Sequence, residues 1–115
     1  MRSDYTNVVN LTGHDVTVIQ WNNDTYTIPS EGVLRVDSDM NVVGTVNVNG
    51  AVEAPLLEIV ERYLDEPPEV LGTVYIVSGI VAAKAGRDDF VVPARVVRES
   101  GITVGCRAFA RVKKG

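Results

Sequence analysis

Residues 73–77 read Thr-Val-Tyr-Ile-Val and are followed at once by Ser78 and Gly79. Five residues of high strand propensity with no intervening charge suit a strand buried on both faces, because a half-exposed strand would alternate apolar and polar positions. Such a strand obliges the chain to cover both sides of a sheet. The small-residue stretch 80–85 offers one cover: Ser78 is a favourable helix N-cap and Gly86 a favourable stop, so a short helical turn is predicted near residues 79–85.

The chain before this run alternates β-rich stretches with turn residues. Val8 and Leu11 lie in a first stretch, which Thr12 and Gly13 separate from 15–20. Asn22, Asn23 and Asp24 divide that stretch from 25–28, and Pro29, Ser30 and Glu31 lead into 32–36. Up to four antiparallel strands are expected there. Val42, Val43, Val46, Val48 and Val52 extend strand character over 41–53, with Asn49 and Gly50 forming a type I′ hairpin turn. Pro55 suits the first position of a helix, and Leu56, Val60, Tyr63 and Leu64 then share one helical face. A short helix is therefore predicted near residues 55–65, with Glu58, Glu61, Asp65 and Glu66 on its solvated side and Pro67 and Pro68 ending it.

Residues 90–92 begin another strand, and 96–98 with 102–112 form a closing hairpin around Ser100 and Gly101. A two-residue turn sets Arg98 opposite Thr103, Val97 opposite Val104 and Arg95 opposite Cys106. One face then carries Val97, Val104, Cys106, Ala108, Ala110 and Val112; the other is a basic stripe of Arg98, Arg107 and Arg111 with Thr103 and Phe109. Arg95 falls on the apolar face, where an unpaired charge is costly. It needs a partner such as Asp88 or Asp89, or an exit to solvent. The fold class expected is α+β: a mainly antiparallel β-sheet or partly open barrel with two short helical pieces, forming a single domain over 1–115.

The 115 residues, 45% hydrophobic and 23% charged, suffice for one packed core. No apolar run approaches the ~20 residues needed to span a bilayer, and the N-terminus opens polar, which predicts a soluble, cytoplasmic protein that stays inside the cell making it and meets no membrane. A lone Cys106 and a lone His14 exclude an internal disulfide and the usual zinc sets. Charge is unevenly distributed: residues 1–83 hold 3 basic and 12 acidic side chains, residues 84–115 hold 8 and 3. The acidic body argues against sequence-specific nucleic-acid binding, whereas the basic final third can attract a small anion. The same asymmetry, together with short strand edges, predicts a homo-oligomer.

The segment Asn10-Leu11-Thr12-Gly13-His14-Asp15-Val16-Thr17-Val18-Ile19 resembles the opening of a group of small uncharacterised phage and prophage proteins that carry Asn-Leu-Thr-Pro-His, with Gly13 standing where that group has Pro. The similarity continues through Ile28-Pro29-Ser30-Glu31-Gly32 and Leu34-Arg35-Val36. It is strongest over Tyr75-Ile76-Val77-Ser78-Gly79-Ile80-Val81-Ala82 and Gly86-Arg87-Asp88-Asp89-Phe90-Val91-Val92-Pro93, and the Gly101 to Gly105 hairpin also fits. The resemblance implies a phage or prophage origin and supplies no activity, cofactor or site.

Five residues form the candidate ligand site: His14, Ser78, Arg87, Asp88 and Arg95. His14 follows one strand, Ser78 another, and the loop of Arg87 and Asp88 precedes a third, so the strand ends can gather them. His14 beside Asp15 is a candidate base, and Ser78 can offer a hydroxyl at a helix start. Each also has a plain role: an exposed turn histidine, a helix cap, or an Arg87 or Arg95 ion pair with Asp88 or Asp89. No Gly-x-Ser-x-Gly elbow, phosphate loop or metal pattern is present, and no cofactor or metal is expected. The function expected is a non-enzymatic phage accessory protein that binds a host protein or sequesters a small anionic, nucleotide-like signal in counter-defence. Two alternatives remain, a small hydrolase or nucleotide-processing enzyme using His14 with Asp88 or Asp89, and a minor virion structural protein.

Overall fold

Strand β6 (Thr73–Ile76) runs between two parallel neighbours, and all four of its residues are buried. The structure, a computed structural model, describes residues 4–64 and 66–113. Two units compose it: Met1–Leu34 with Glu66–Gly115, and the intervening Arg35–Asp65. The first unit is a six-stranded sheet in the order β1-β6-β7-β8-β2-β3. Its other strands are β1 (Asn7–Asn10), β2 (Val16–Ile19), β3 (Thr25–Ile28), β7 (Phe90–Glu99) and β8 (Ile102–Ala110).

Val74 and Ile76 alternate with Tyr75 and Val77, and each pair has its own cover. On one side Val74 and Ile76 cluster with Val16, Val91 and Cys106. On the other, Tyr75 meets Phe90 edge to face at 5.9 Å. Helix α1 (Gly79–Ala85) buries Val81 and Ala82. It starts on Ser78, whose Oγ accepts the Val81 N–H, and it stops at Gly86, whose φ of 59° lets its N–H reach the Ala82 carbonyl. The expected helical turn and central strand are both observed.

The sheet nearly closes into a barrel. The segment after β3 returns to the segment after β1, where Glu31 N–H donates to Asn10 O (2.8 Å), Gly13 N–H to Gly32 O (3.0 Å) and Leu34 N–H to Leu11 O (3.1 Å). Asn10, fully buried, fastens this seam: its Nδ2 donates to the carbonyls of His14 (2.8 Å) and Ile28 (3.0 Å), and its Oδ1 accepts the Thr12 N–H (3.0 Å).

The antiparallel meander expected at the start is corrected. Strand β1 pairs with β6 in parallel, β6 with β7 in parallel, and β2 with β8 in parallel, leaving β2–β3 and β7–β8 antiparallel. Short connections between β1, β2 and β3 read like hairpins, but a strand pairs with whatever neighbour buries its apolar face, here strands from the far end of the chain.

The closing hairpin turns at Ser100 (φ 51°) and Gly101 (φ 79°), as expected, and Arg98 lies opposite Thr103. Beyond that pair the register shifts by one residue, so Val97 meets Gly105 and Val96 meets Cys106. The bulge corrects the expected pairing: Val96 rather than Arg95 lies opposite Cys106, and Ala94 lies opposite Ala108. Arg95 is exposed with φ 50°, so of the two outcomes expected for it, an acidic partner or an exit to solvent, the second is observed.

The second unit is a hairpin of β4 (Arg35–Val48) and β5 (Val52–Leu64). The expected helix near 55–65 is β5 instead. Asn49 (φ 53°) and Gly50 (φ 72°) form the predicted I′ turn, with Ala51 N–H bonded to Val48 O (3.1 Å), and the ladder then extends from Val48↔Val52 to Arg35↔Leu64. A tight turn beside a long strand supplies hydrogen-bond partners for an equally long return, and that non-local pairing overrides the helical spacing. Pro55 opposite Thr45 is tolerated because a two-stranded ribbon has a free side for a residue without an N–H. The side chains of 61–65, which the helix reading divided between faces, lie outside the described residues. Every buried side chain among the described residues belongs to the first unit.

Candidate functional site

Parallel strands decide which of the five predicted residues can meet. Ser78 follows β6 and His14 follows β1, and because these strands run together, with Leu11 N–H bonded to Ile76 O (2.8 Å), both residues lie beyond the same end of the sheet. Arg87 and Asp88 precede β7, which is also parallel to β6, so they lie at the opposite end, where Asp89 O accepts the Tyr75 N–H (2.8 Å). The strand between the two ends is roughly 10 Å long. Arg95 lies further along β7, between Ala94 and Val96, and is exposed. The predicted cluster is therefore split three ways, and the acid–base pairing of His14 with Asp88 or Asp89 is not assembled.

Arg87 is a brace. Its Nε and Nη2 form a two-bonded pair with Asp89 (2.9 and 2.7 Å), and its Nη1 donates to Pro67 O (2.6 Å) and Glu66 Oε1 (3.2 Å). Its guanidinium lies over Phe90 at 4.2 Å. The Asp89 carboxylate holds the guanidinium above its ordinary pKa more strongly than burial lowers it, so the group is cationic throughout the accessible pH range. Of the ion pairs weighed from sequence, the one formed is Arg87–Asp89. Asp88 remains exposed beside a shallow cavity bounded by Tyr5 and Leu71.

His14 lines a cleft of about 290 Å³ with Asp15, Thr17, Thr103, Val104 and Cys106. The cleft lies where β2 and β8 are paired through Val18 and Cys106. Their close approach there demands Gly105, since a Cβ at that position would sit 2.9 Å from Thr17 O and 2.8 Å from the Ile19 side chain. The Nδ1 of His14 donates to Asp15 O (3.0 Å), while Asp15 Oδ1 accepts the Ser30 N–H (3.2 Å). Desolvation pushes the Cys106 thiol up, which keeps it protonated at neutral pH and a poor nucleophile.

A second cavity, about 450 Å³, opens over the β2–β3 turn and holds the two residues with the strongest binding character in the molecule, Trp21 and Arg107. The turn is rigid: Gln20 N–H bonds to Asp24 O (2.8 Å), Asn23 N–H to Gln20 O (2.8 Å), and Asn22 Nδ2 to Asp24 Oδ2 (2.9 Å). Arg107, on the outer face of β8, donates to Gln20 O (2.8 Å) and Asn23 Oδ1 (2.9 Å), and its guanidinium carbon lies 5.5 Å from the Trp21 ring centre. Trp21 is nonetheless 81% exposed. An exposed indole beside an oriented cation presents a flat apolar face next to unused N–H donors. The sequence reading placed Arg107 in the basic stripe but passed over Trp21; the available signal was a large aromatic embedded in the polar turn Gln20-Trp21-Asn22-Asn23-Asp24.

Among the described residues no three His, Cys, Asp or Glu side chains gather as metal ligands, and no helix is long and apolar enough to cross a membrane. No family model matches the chain, and neither a curated protein nor a solved structure shows a significant match.

Proposed function

We propose that this chain is a non-enzymatic binding protein, a phage accessory factor, that captures a small planar anion of the nucleotide class at the Trp21–Arg107 corner. The observation that carries the reading is the 81% exposed indole held against a guanidinium that is already oriented by two hydrogen bonds. Because the turn and Arg107 are fixed before any ligand arrives, little ordering entropy opposes capture. Stacking of one base on an aromatic ring contributes about 1–3 kcal/mol, and a charge-assisted hydrogen bond to a phosphate about 1.5–3 kcal/mol. Together these give a Kd on the order of 1 mM for a mononucleotide. The resemblance of the N-terminal segment to phage proteins supports the accessory role.

Trp21 is the sole tryptophan, so its fluorescence reports on the corner directly. Titration with AMP, ADP and a dinucleotide is expected to quench it in a saturable way, with the nucleotides recovered unchanged afterwards. Arg107→Ala should weaken binding roughly tenfold, the loss of about 1.4 kcal/mol. Fluorescence unmoved at 10 mM nucleotide, a concentration about ten times the Kd expected from stacking and one charged contact, would reject the reading. Hydrolysed nucleotide would favour the enzymatic alternative.

A further inference from the structure

Of the seven asparagines in the chain, Asn49 alone precedes a glycine; Val8, Leu11, Asn23, Asp24, Val42 and Val48 follow the others. The difference is chemical. A backbone nitrogen can attack the carboxamide carbon of the residue before it, and a side chain on the attacking residue crowds that approach, whereas Gly50 has no Cβ to obstruct it. Most of the other asparagines are also tied by their side chains: Asn7 Nδ2 donates to Thr73 Oγ1 (3.2 Å), Asn10 Nδ2 to two carbonyls and Asn22 Nδ2 to Asp24 Oδ2 (2.9 Å), while Asn23 Oδ1 accepts from Arg107. Among the described residues the Asn49 side chain has no such partner. Its neighbour is restrained instead. Gly50 N–H donates to Asn47 Oδ1 at 2.7 Å, and the bond from Ala51 N–H to Val48 O holds the turn around it.

We infer that Asn49 is a site of spontaneous deamidation, and that the Asn47 side chain sets its pace by holding the Gly50 N–H. Hydroxide takes the Gly50 amide proton, the nitrogen bonds to Asn49 Cγ, and the Cγ–Nδ2 bond breaks as the departing amino group takes a proton from water and leaves as ammonia. The proton to be removed is the one that Asn47 Oδ1 holds, so that bond must break first. The resulting five-membered succinimide adds water and opens on either side of its nitrogen. Breaking the new bond to Cγ leaves an aspartate; breaking the original bond to the Asn49 carbonyl carbon leaves an isoaspartate, whose main chain runs through Cβ and Cγ. The two products differ in what the hairpin keeps. Asp-Gly forms the same I′ turn as Asn-Gly, so the aspartyl form retains the Val48↔Val52 register. The isoaspartyl form lengthens the turn by one methylene, and the register that the turn imposed is lost.

Wild-type protein held at body temperature and mildly alkaline pH is expected to gain the mass difference between a hydroxyl and an amino group on the peptide that contains Asn49, before any other peptide changes. Ammonia should appear in equal amount, at a rate proportional to hydroxide concentration. Isoaspartyl methyltransferase should label part of the product, and amide exchange over residues 46–54 should quicken in that fraction alone. Asn47→Ala should speed the reaction about fivefold, the weight of one ordinary hydrogen bond in the opening step. General loosening of the ribbon would do the same, so the conservative replacement decides. Asn47→Asp keeps an oxygen for the Gly50 N–H, and in a Glu53→Gln background no carboxylate faces it across the ladder. That double variant should react within about twofold of Glu53→Gln alone, less than the loss of a hydrogen bond would give. An Asn49 still intact after weeks, a first gain on another asparagine, a rate indifferent to pH, or an Asn47→Asp rate matching that of Asn47→Ala would each overturn the inference.

Discussion

Replacing Arg87 with Ala tests the most tightly built polar cluster in the molecule. The substitution deletes two bonds to Asp89, the bonds to Pro67 O and Glu66, and the cation over Phe90. What remains matters more than what is lost, because the Asp89 side chain is only 8% exposed and would keep a carboxylate with no counter-charge. Removing one partner of a buried pair costs about 3–5 kcal/mol; Arg87 itself is 17% exposed, which places the expectation near the lower end, about 3 kcal/mol. For a chain of this size that lowers Tm by roughly 10–15 °C. Thermal unfolding followed by circular dichroism reads the shift, and urea unfolding at constant slope confirms that the two-state reference is unchanged. Arg87→Lys should recover less than half of the loss, since an ammonium cannot make the paired bonds of a guanidinium. Arg87→Met with Asp89→Leu should be more stable than Arg87→Ala, because no charge is then left buried. A Tm for Arg87→Ala within about 2 °C of wild type, equivalent to well under 1 kcal/mol, would refute the reasoning.

Three further outcomes follow from the seam and the core. Gly105→Ala should cost about 1–3 kcal/mol by overpacking, since the added methyl meets the Thr17 carbonyl, a backbone atom, at 2.9 Å; unchanged urea unfolding would show that β2 can retreat freely. Asn10→Leu should lower stability by about 3 kcal/mol, because it strips the His14 and Ile28 carbonyls and the Thr12 N–H of their partner inside the seam, and a loss under about 1 kcal/mol would show water replacing it. The Cys106 thiol, raised by burial, binds its proton more tightly when folded than when unfolded, so between the unfolded and folded pKa values stability falls as pH rises. Wild type should therefore lose up to about 1.4 kcal/mol per pH unit more than Cys106→Ala above pH ~9, as measured by urea unfolding at stepped pH. Parallel curves would contradict it.

What could be read in the sequence was local. The buried β6 run, the Ser78 and Gly86 caps and the turns at Asn49-Gly50 and Ser100-Gly101 each rest on residues adjacent in the chain, and all four are observed. The misreadings arose where a partner distant in sequence decides. Leu56, Leu57, Ile59 and Val60 satisfy a helical stripe and a two-faced strand equally, and only the long β4 opposite them settles the matter. An unbroken two-residue hairpin sets Arg95 opposite Cys106, but the bulge between Val97 and Arg98 puts Val96 there, and a bulge leaves no reliable mark in one sequence. The candidate site failed for the same reason: strand ends can gather loops, but parallel pairing sends the loop before β7 and the loop after β6 to opposite ends. Asn10, which looked like an ordinary strand residue, holds the seam through contacts that run as far as Ile28.

The parallel pairings also impose a schedule on synthesis. Strand β1 finds its ladder partner 66 residues later, and β2 waits for Cys106, near the end of the chain. Strand β1 cannot complete its ladder until β6 has left the ribosome, although the β2–β3 pair and the seam between residues 10–13 and 31–34 lie within the first 34 residues, and the ring cannot shut until β8 has. The β4–β5 hairpin has no such wait, because its two strands are joined by a tight turn and form within microseconds of emerging. A nascent chain therefore displays its most apolar ribbon while the barrel is still open, so encounters between neighbouring chains on one message can precede closure of either. Closure of the ring through such non-local pairs is the slow part of folding.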